Sequence, residues 1–324
     1  MPCSSPIAEA SVASPSGRLP LILEAMGEPA RTTLLWDEPD EGLAEGEPFV
    51  TILQRWVERP DGRMELVELP LTPELFLDPQ LEDIMVQGRP HSLVRRYFAD
   101  LLERHLRFDV AVMVLEDVKH LLGPGLPGPA PDVSVIRGAR HPDPDLSSYD
   151  VVEQGVAPCL VVEVVSPKDA RIRRTDEVDK VDLYQRVGIT EYLLVDMPRR
   201  ATGHRFRLKG LRLGRERRYQ PIEPDAQGYI LSETTSLRFG VSARGDQVDL
   251  FDALTGERLL SALEEEEGRK AAEERASRAE AGRQLEVAAR RAAEEKASRA
   301  ESAQRAAEDE MQRLRAEIEQ LKKL

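Results

Sequence analysis

Seven residues, Cys159-Leu-Val-Val-Glu-Val-Val165, form a near-continuous apolar run between Pro158 and Ser166-Pro167. A run of that length, rich in β-branched residues and closed off by prolines, predicts a strand covered on both faces. Such a strand needs a layer of structure on each side, which excludes a single sheet open to water. The segment 175–187 places Val178, Val181 and Leu183 among charges and ends at Gly188, the pattern of a helix with a C-terminal stop. Glu191-Tyr-Leu-Leu-Val-Asp196 reads as the next strand. Strand, helix and strand in that order predict a βαβ-like crossover in a mixed sheet, hence an α/β fold.

Upstream, Ser92–Arg107 predicts a helix with Leu93, Tyr97, Leu101 and either Leu102 or His105 on one side. Pro90 would break the chain before it and Ser92 would cap it. Phe108–Leu115 and Asp132–Ile136 predict strands, separated by a Gly/Pro loop over 123–131, and 138–155 reads as a polar loop. Downstream, 203–220 predicts a hairpin with Gly210 or Gly214 near its turn, and 229–252 predicts further short strands. Residues 1–30, dominated by Ser, Pro, Gly and Ala, read as a disordered leader. The stretch 31–260 reads as one domain with its core over about 60–260.

From Glu264 to Leu324 the composition changes to Ala, Glu and Arg, without Pro. Ala271–Glu280 recurs as Ala292–Glu301, an offset of 21 residues, or three heptads. Met311, Leu314, Ile318 and Leu321 follow at spacings of 3, 4 and 3. Extended backwards, that frame carries Ala307, Ala300, Ala297, Ala293, Ala279, Ala276 and Ala272, interrupted by Gln304, Arg290, Glu286 and Arg283. This is a coiled-coil helix with a firm end and a weak middle. Two outcomes are open for it, a homodimer or a lone solvated helix.

The chemistry concentrates in two carboxylates placed where a carboxylate is costly. Asp132 follows Pro131 at the start of a strand, and Glu163 is surrounded by four valines. Each must be paired or bind a cation. Two acids on neighbouring strands would suit a divalent ion with oxygen ligands, Mg²⁺ being the usual hard choice. Asp176, Lys180 and Tyr184 are spaced at four and share a helical face, from which Lys180 could reach back to the acids. A metal, a lysine and two carboxylates make a kit for phosphodiester hydrolysis. The plainer alternatives are a Glu163 turned to solvent or paired with an arginine, and an ordinary salt bridge from Asp176 to Lys180.

Pro131-Asp132, Glu163-Val-Val-Ser-Pro167, Asp176-x3-Lys180-x3-Tyr184 and Gly188–Asp196, in this order and spacing, resemble the Uma-two family of restriction-type endonucleases in the PD-(D/E)XK nuclease superfamily. The resemblance spans about 60–260 and is most specific over 158–196. It implies a PD-(D/E)XK restriction-endonuclease-like mixed sheet flanked by helices. It also implies an Mg²⁺- or Mn²⁺-dependent endonuclease acting on DNA. Asp132 and Glu163 would hold the metal, and Lys180 would position or activate water. Asp176, Tyr184 and His91 would support them. The superfamily's lysine two residues after the second acid is Val165 here, and Lys180 on the following helix takes its place. Glu103, on the first helix, is a further acidic candidate, set against a solvated surface role.

With 45 Lys plus Arg against 59 Asp plus Glu, the chain of 324 residues has a net charge of -14, which argues against indiscriminate nucleic-acid binding. A local exception is the run from Arg199 to Arg218, where Arg205, Arg207 and Lys209 alternate with Phe206 and Leu208 and Arg212 follows. That ribbon would either contact phosphates or face solvent and an acidic partner. Arg171, Arg173 and Arg174 add positive charge near the candidate site. Only two cysteines, Cys3 and Cys159, are present, which excludes a disulfide scaffold and fits the reducing cytosol of a cytoplasmic protein. No apolar run approaches the ~20 residues of a spanning helix, and the N-terminus lacks the features of a secretory signal. The rival to an enzyme is a catalytically silent nuclease-fold module that binds nucleic acid or protein and assembles through its coiled coil.

Overall fold

A computed structural model describes residues 51–85, 88–141, 146–165, 169–198 and 205–321. The leader, the Ser166-Pro167 stop and the start of the basic run (Arg199, Arg200 and His204) lie outside them. The described residues fall into two units, one up to Leu259 and one from Leu260.

The first unit opens with strands β1 (Ile52–Glu58) and β2 (Met64–Pro70), helix α1 (Pro73–Leu77), strand β3 (Asp83–Met85) and helix α2 (Arg89–Leu106). Strands β4 (Val112–Glu116), β5 (Lys119–Leu121), β6 (Val133–Arg137) and β7 (Ser148–Asp150), then helix α3 (Val151–Gln154), lead to β8 (Leu160–Val165). Helices α4 (Ala170–Arg174) and α5 (Lys180–Val187) flank a π-helical turn, Thr175–Asp179, before β9 (Glu191–Asp196). Strands β10 (Arg207–Leu213), β11 (Tyr219–Pro221), β12 (Ile230–Ser232), β13 (Leu237–Val241) and β14 (Val248–Asp252) complete it. The second unit is one helix, α6 (Ala262–Leu321).

The central sheet has six strands in the order β11-β10-β9-β8-β6-β4. β8 and β9 run parallel and the other neighbours antiparallel, so the sheet is mixed and the helix between β8 and β9 is the crossover. Every residue of β8 and of β9 is buried, as their unbroken apolar runs require. One face, through Val133, Val162, Val164 and Val195, packs against Phe98, Leu101 and Leu102 of α2 and against Phe239 and Leu250 of the β12-β13-β14 sheet. The other, through Val161, Val165, Tyr192 and Leu194, packs against Val181, Leu183 and Tyr184 of α5. Burying a side chain of this size contributes roughly 1.5–3 kcal/mol. Gly188 ends α5 at φ 94°, a left-handed conformation that glycine adopts without strain. The antiparallel sheet β2-β1-β3 packs Leu53 with Leu71 and with Ile172 of α4.

Three local expectations are corrected. Helix α2 begins at Arg89 with Gly88 as its cap, so Pro90 lies in its first turn and Ser92 inside the helix. Proline lacks the N–H that a first turn leaves unpaired, and it is tolerated there. The buried side of α2 is Phe98, Ala99, Leu101, Leu102 and Leu106, while Leu93 is exposed. The strand expected from Phe108 starts only at Val112, because Phe108 and Val110 lie in the exposed turn after α2. The loop expected over 138–155 contains β7 and α3, and Asp150 caps α3 by accepting from Val152 and Glu153 N–H groups.

A buried histidine gives this unit a predictable acid limb. The ring of His120, on β5, donates from Nδ1 to the Val118 carbonyl at 2.7 Å, and its Nε2 accepts from Ser134 Oγ at 3.0 Å. Burial pushes its pKa down from 6.5 to about 4. The unfolded chain therefore binds a proton that the folded one refuses, and stability falls as pH drops from 6.5 towards 4. Over that window the parent should lose up to about 3 kcal/mol more than His120→Gln. Urea unfolding across the pH series checks this, and parallel curves for the two proteins would overturn it.

Candidate active site

Glu163 sits in the middle of β8 and is 2 % exposed. Asp132 immediately precedes β6 and is 6 % exposed. The antiparallel register pairs Val133 with Val162, which sets Asp132 opposite Glu163. The two are laced together: the Asp132 N–H points at Glu163 Oε2 at 3.4 Å, and the Val164 N–H donates to Asp132 Oδ2 at 2.8 Å.

The helical turn that follows β8 brings up the cation. Lys180 Nζ lies 2.8 Å from Glu163 Oε1 and 2.8 Å from Asp176 Oδ1, with its side chain 1 % exposed. The Phe76 ring of α1 closes over the same ammonium at 4.4 Å. Tyr184 donates its hydroxyl to Glu163 Oε1 at 2.9 Å. Asp176 starts its approach from the π-helical turn, where the Lys180 N–H reaches back to the Thr175 carbonyl. Such a turn releases a backbone acceptor, and the Tyr192 hydroxyl donates to the Asp176 carbonyl at 2.9 Å.

Two carboxylates thus share one ammonium. Burial alone would push Lys180 towards neutrality, but Asp176 and Glu163 outweigh it and hold its pKa above that of an ordinary lysine. Burial raises Glu163 and Asp176, and for each the pull of the shared Lys180 does not cancel burial and the repulsion of the neighbouring acids. Asp132 differs. Burial pushes it up, but His91, the Val164 N–H and Lys180 bring it below the usual range.

His91, in the first turn of α2, contacts Val164 O at 2.7 Å and Asp132 Oδ2 at 3.3 Å through the same Nε2. A carbonyl only accepts, so Nε2 carries the proton. Burial lowers the His91 pKa, but the Asp132 carboxylate and the Val164 carbonyl together raise it above the usual value. One helical turn on, Arg95 donates to Glu116 at 2.9 Å and to Asp117 at 2.8 Å and approaches Asp132 at 3.9 Å.

The fold brings together Asp132, Glu163, Asp176, Lys180, Tyr184 and His91. It does not bring Glu103, which lies exposed on α2. The basic ribbon is largely spoken for. Arg207 pairs with Asp196 at 2.5 Å, Arg212 pairs with Glu191 at 2.8 Å and Glu233 at 2.7 Å, and Arg205 donates to the Ala243 carbonyl. Lys209 is half-buried on the same strand. Arg173 is buried between Glu177 at 2.8 Å and Asp196 at 2.9 Å, whereas Arg171 and Arg174 are exposed on α4. Sequence reasoning missed Arg95, Asp117 and Phe76. The spacing of four between His91 and Arg95 was the available signal for the first. Asp117, left-handed at φ 56°, and Phe76 offered none.

Residues 53–248 match the Uma2 (Uma-two) family, whose description is "Putative restriction endonuclease". The match covers more than half of the chain. The chain belongs to the Uma-two family. A solved structure of a "putative nuclease belonging to DUF820" from Anabaena variabilis ATCC 29413 is 16 % identical, with 60 % of this chain and 87 % of that chain covered and a TM-score of 0.34. No curated protein matches the sequence. Family membership makes the mixed sheet of this Uma-two protein a restriction-endonuclease-like one. Among the described residues no helix is long and apolar enough to cross a membrane.

Proposed function

We propose that this chain is a divalent-metal-dependent endonuclease that hydrolyses DNA phosphodiesters at the Asp132–Glu163 pair. The observation that carries the reading is the pairing of two buried carboxylates across adjacent strands, with Lys180 held on one of them at 2.8 Å.

The donor set fits Mg²⁺ or Mn²⁺. Among the described residues no three His, Cys, Asp or Glu side chains converge as a complete ligand set. The protein would therefore supply Asp132 and Glu163 alone, and water and substrate oxygens would fill the rest of a hard cation's shell. Asp132, Glu163 and Asp176 also outnumber Lys180, and a dication would offset the surplus. When bound, the cation supplies Lewis-acid polarisation of the phosphodiester and offsets the charge gained as phosphorus is attacked.

The remaining roles belong to the chain's own residues. Lys180, held as an ammonium by two carboxylates, acts as a fixed positive charge beside the reacting phosphate. That protonation state supports positioning of water rather than proton abstraction by Lys180. Asp176 and Tyr184 fix Lys180 and Glu163, and His91 orients Asp132. Arg174, exposed on α4 just beyond the strand that carries Glu163, is assigned to phosphate contact, beside Arg171, whose guanidinium also pairs with Asp169 at 3.1 Å. Within the ribbon, Asp196, Glu191 and Glu233 take up much of the charge of Arg207 and Arg212.

The silent-module reading has one observation in its favour. Asp132 and Glu163 are already bonded to protein donors and almost wholly buried. Calorimetry with Mn²⁺ on the intact protein and on Glu163→Gln, beside a plasmid-cleavage assay, separates the readings. Binding lost in the variant, with nicking or linearisation only by the parent, is the expected result. Binding without cleavage favours the silent module, and no binding by the parent overturns the metal site.

A further inference from the structure

Helix α6 is 60 residues long, about 90 Å, and begins with a capping box. Ser261 Oγ accepts from the Glu264 N–H at 3.3 Å, and the Ser261 N–H donates to Glu264 Oε2 at 2.9 Å. Beyond that cap, every side chain from Glu265 to Glu319 is exposed. Among them are Met311 at 55 %, Leu314 at 50 % and Ile318 at 52 %, the apolar end of the heptad frame. Helices in proteins draw most of their stability from packing of an apolar face rather than from propensity.

We propose that this seam is covered by a second copy of the same chain, as a parallel, in-register coiled coil. The charges flanking the seam choose both the partner and its direction. With Met311 at position a, the e positions are Glu266, Glu273, Glu280, Val287, Glu294, Glu301, Glu308 and Arg315, while the g positions include Arg275, Lys296 and Glu310. A parallel pair sets each g residue against the e residue five further along its partner. Arg275 then meets Glu280, Lys296 meets Glu301, and Glu310 meets Arg315, so each charged g position whose partner lies within the described helix faces an opposite charge. An antiparallel pair sets e against e, and six of those eight positions are glutamates.

The seam itself agrees with a specific dimer. Gln304 is a polar residue at position a, the kind that fixes register at a cost in stability. Of the three arginines at a positions, 269, 283 and 290, the first and last are matched by Glu273 at 3.3 Å and Glu294 at 2.9 Å on their own helix, which reduces their mutual repulsion, and Arg283 adds to the cost in stability. A parallel coil tethers both copies of the first unit to the same end. On the nuclease reading, which the dimer itself does not require, that supplies one site for each strand of a duplex.

Sedimentation velocity on the full chain at micromolar concentration should give twice the 36.3 kDa of the monomer. Leu314→Glu with Ile318→Glu lies on an exposed surface, leaves the first unit folded, and should return the mass to 36.3 kDa. Glu310→Arg should weaken the dimer about tenfold, and adding Arg315→Glu should restore it. Ala307→Cys and, separately, Ala272→Cys, in a Cys3→Ser, Cys159→Ser background, should each cross-link to itself on mild oxidation, as a parallel in-register pair allows and no single antiparallel register does. A monomeric parent, a dimer that survives Leu314→Glu with Ile318→Glu, or a failure of Ala307→Cys or Ala272→Cys to cross-link would each overturn the proposal.

Discussion

Lys180→Met should destabilise the first unit by about 3–5 kcal/mol, more than any other single change in the site. Methionine is close in volume and fills the space against Phe76, so the loss is one of charge and not of packing. Glu163 and Asp176, both buried, are left without the ammonium that each touches at 2.8 Å. An uncompensated buried carboxylate takes up a proton or draws in water, and either costs free energy. The same ion pair at a surface would contribute only a few tenths of a kcal/mol, so burial decides the size of the effect. Glu163→Gln in the Lys180→Met background should recover part of the loss, because the two residues are in contact and their effects do not add. Urea unfolding of the four proteins measures the cycle. A Lys180→Met protein within about 1 kcal/mol of the parent would show that water already screens the cluster.

Asp132→Asn should reduce plasmid cleavage at least about a hundredfold with little change in unfolding midpoint. Asparagine is isosteric and its carbonyl oxygen still accepts the Val164 N–H, so the β6–β8 junction is kept. What is lost is the negative charge facing Glu163, and with it half of the acidic pair proposed to hold the cation. Mn²⁺ affinity should fall in step with cleavage, which distinguishes this from a substrate-binding defect. Cleavage within about threefold of the parent would remove Asp132 from the reaction and leave its pairing with His91, at 3.3 Å, a structural one.

The central layers were legible because their signals are strong and local. Four valines around one glutamate predict a strand buried on both faces, and β8 is that strand. Gly188 announces the end of α5, and the spacing of four from Asp176 to Lys180 to Tyr184 places all three on one side. The errors fell where short-range pattern competes with tertiary context. Phe108 and Val110 carry strand-like residue types yet lie exposed, because the turn after α2 delays β4 until Val112. The alternation from Arg205 to Lys209 suggested a cationic face, but alternation cannot show that Asp196, Glu191 and Glu233 lie opposite and neutralise much of it.

The sequence by itself determined the class of fold, the family and the heptad frame of α6, and singled out Asp132 and Glu163 as acids in costly places, since each depends on residue types at fixed separations along the chain. Only the tertiary structure decided that Lys180 bridges Glu163 and Asp176, that Phe76 roofs the ammonium, that a π-helical turn aims Asp176, and that His91 and Arg95 stand over Asp132. The physical reason is the range of the interactions. Helix and strand periodicities repeat over two to four residues, whereas the site joins α1, α2, β8 and α5 across gaps that no periodicity spans.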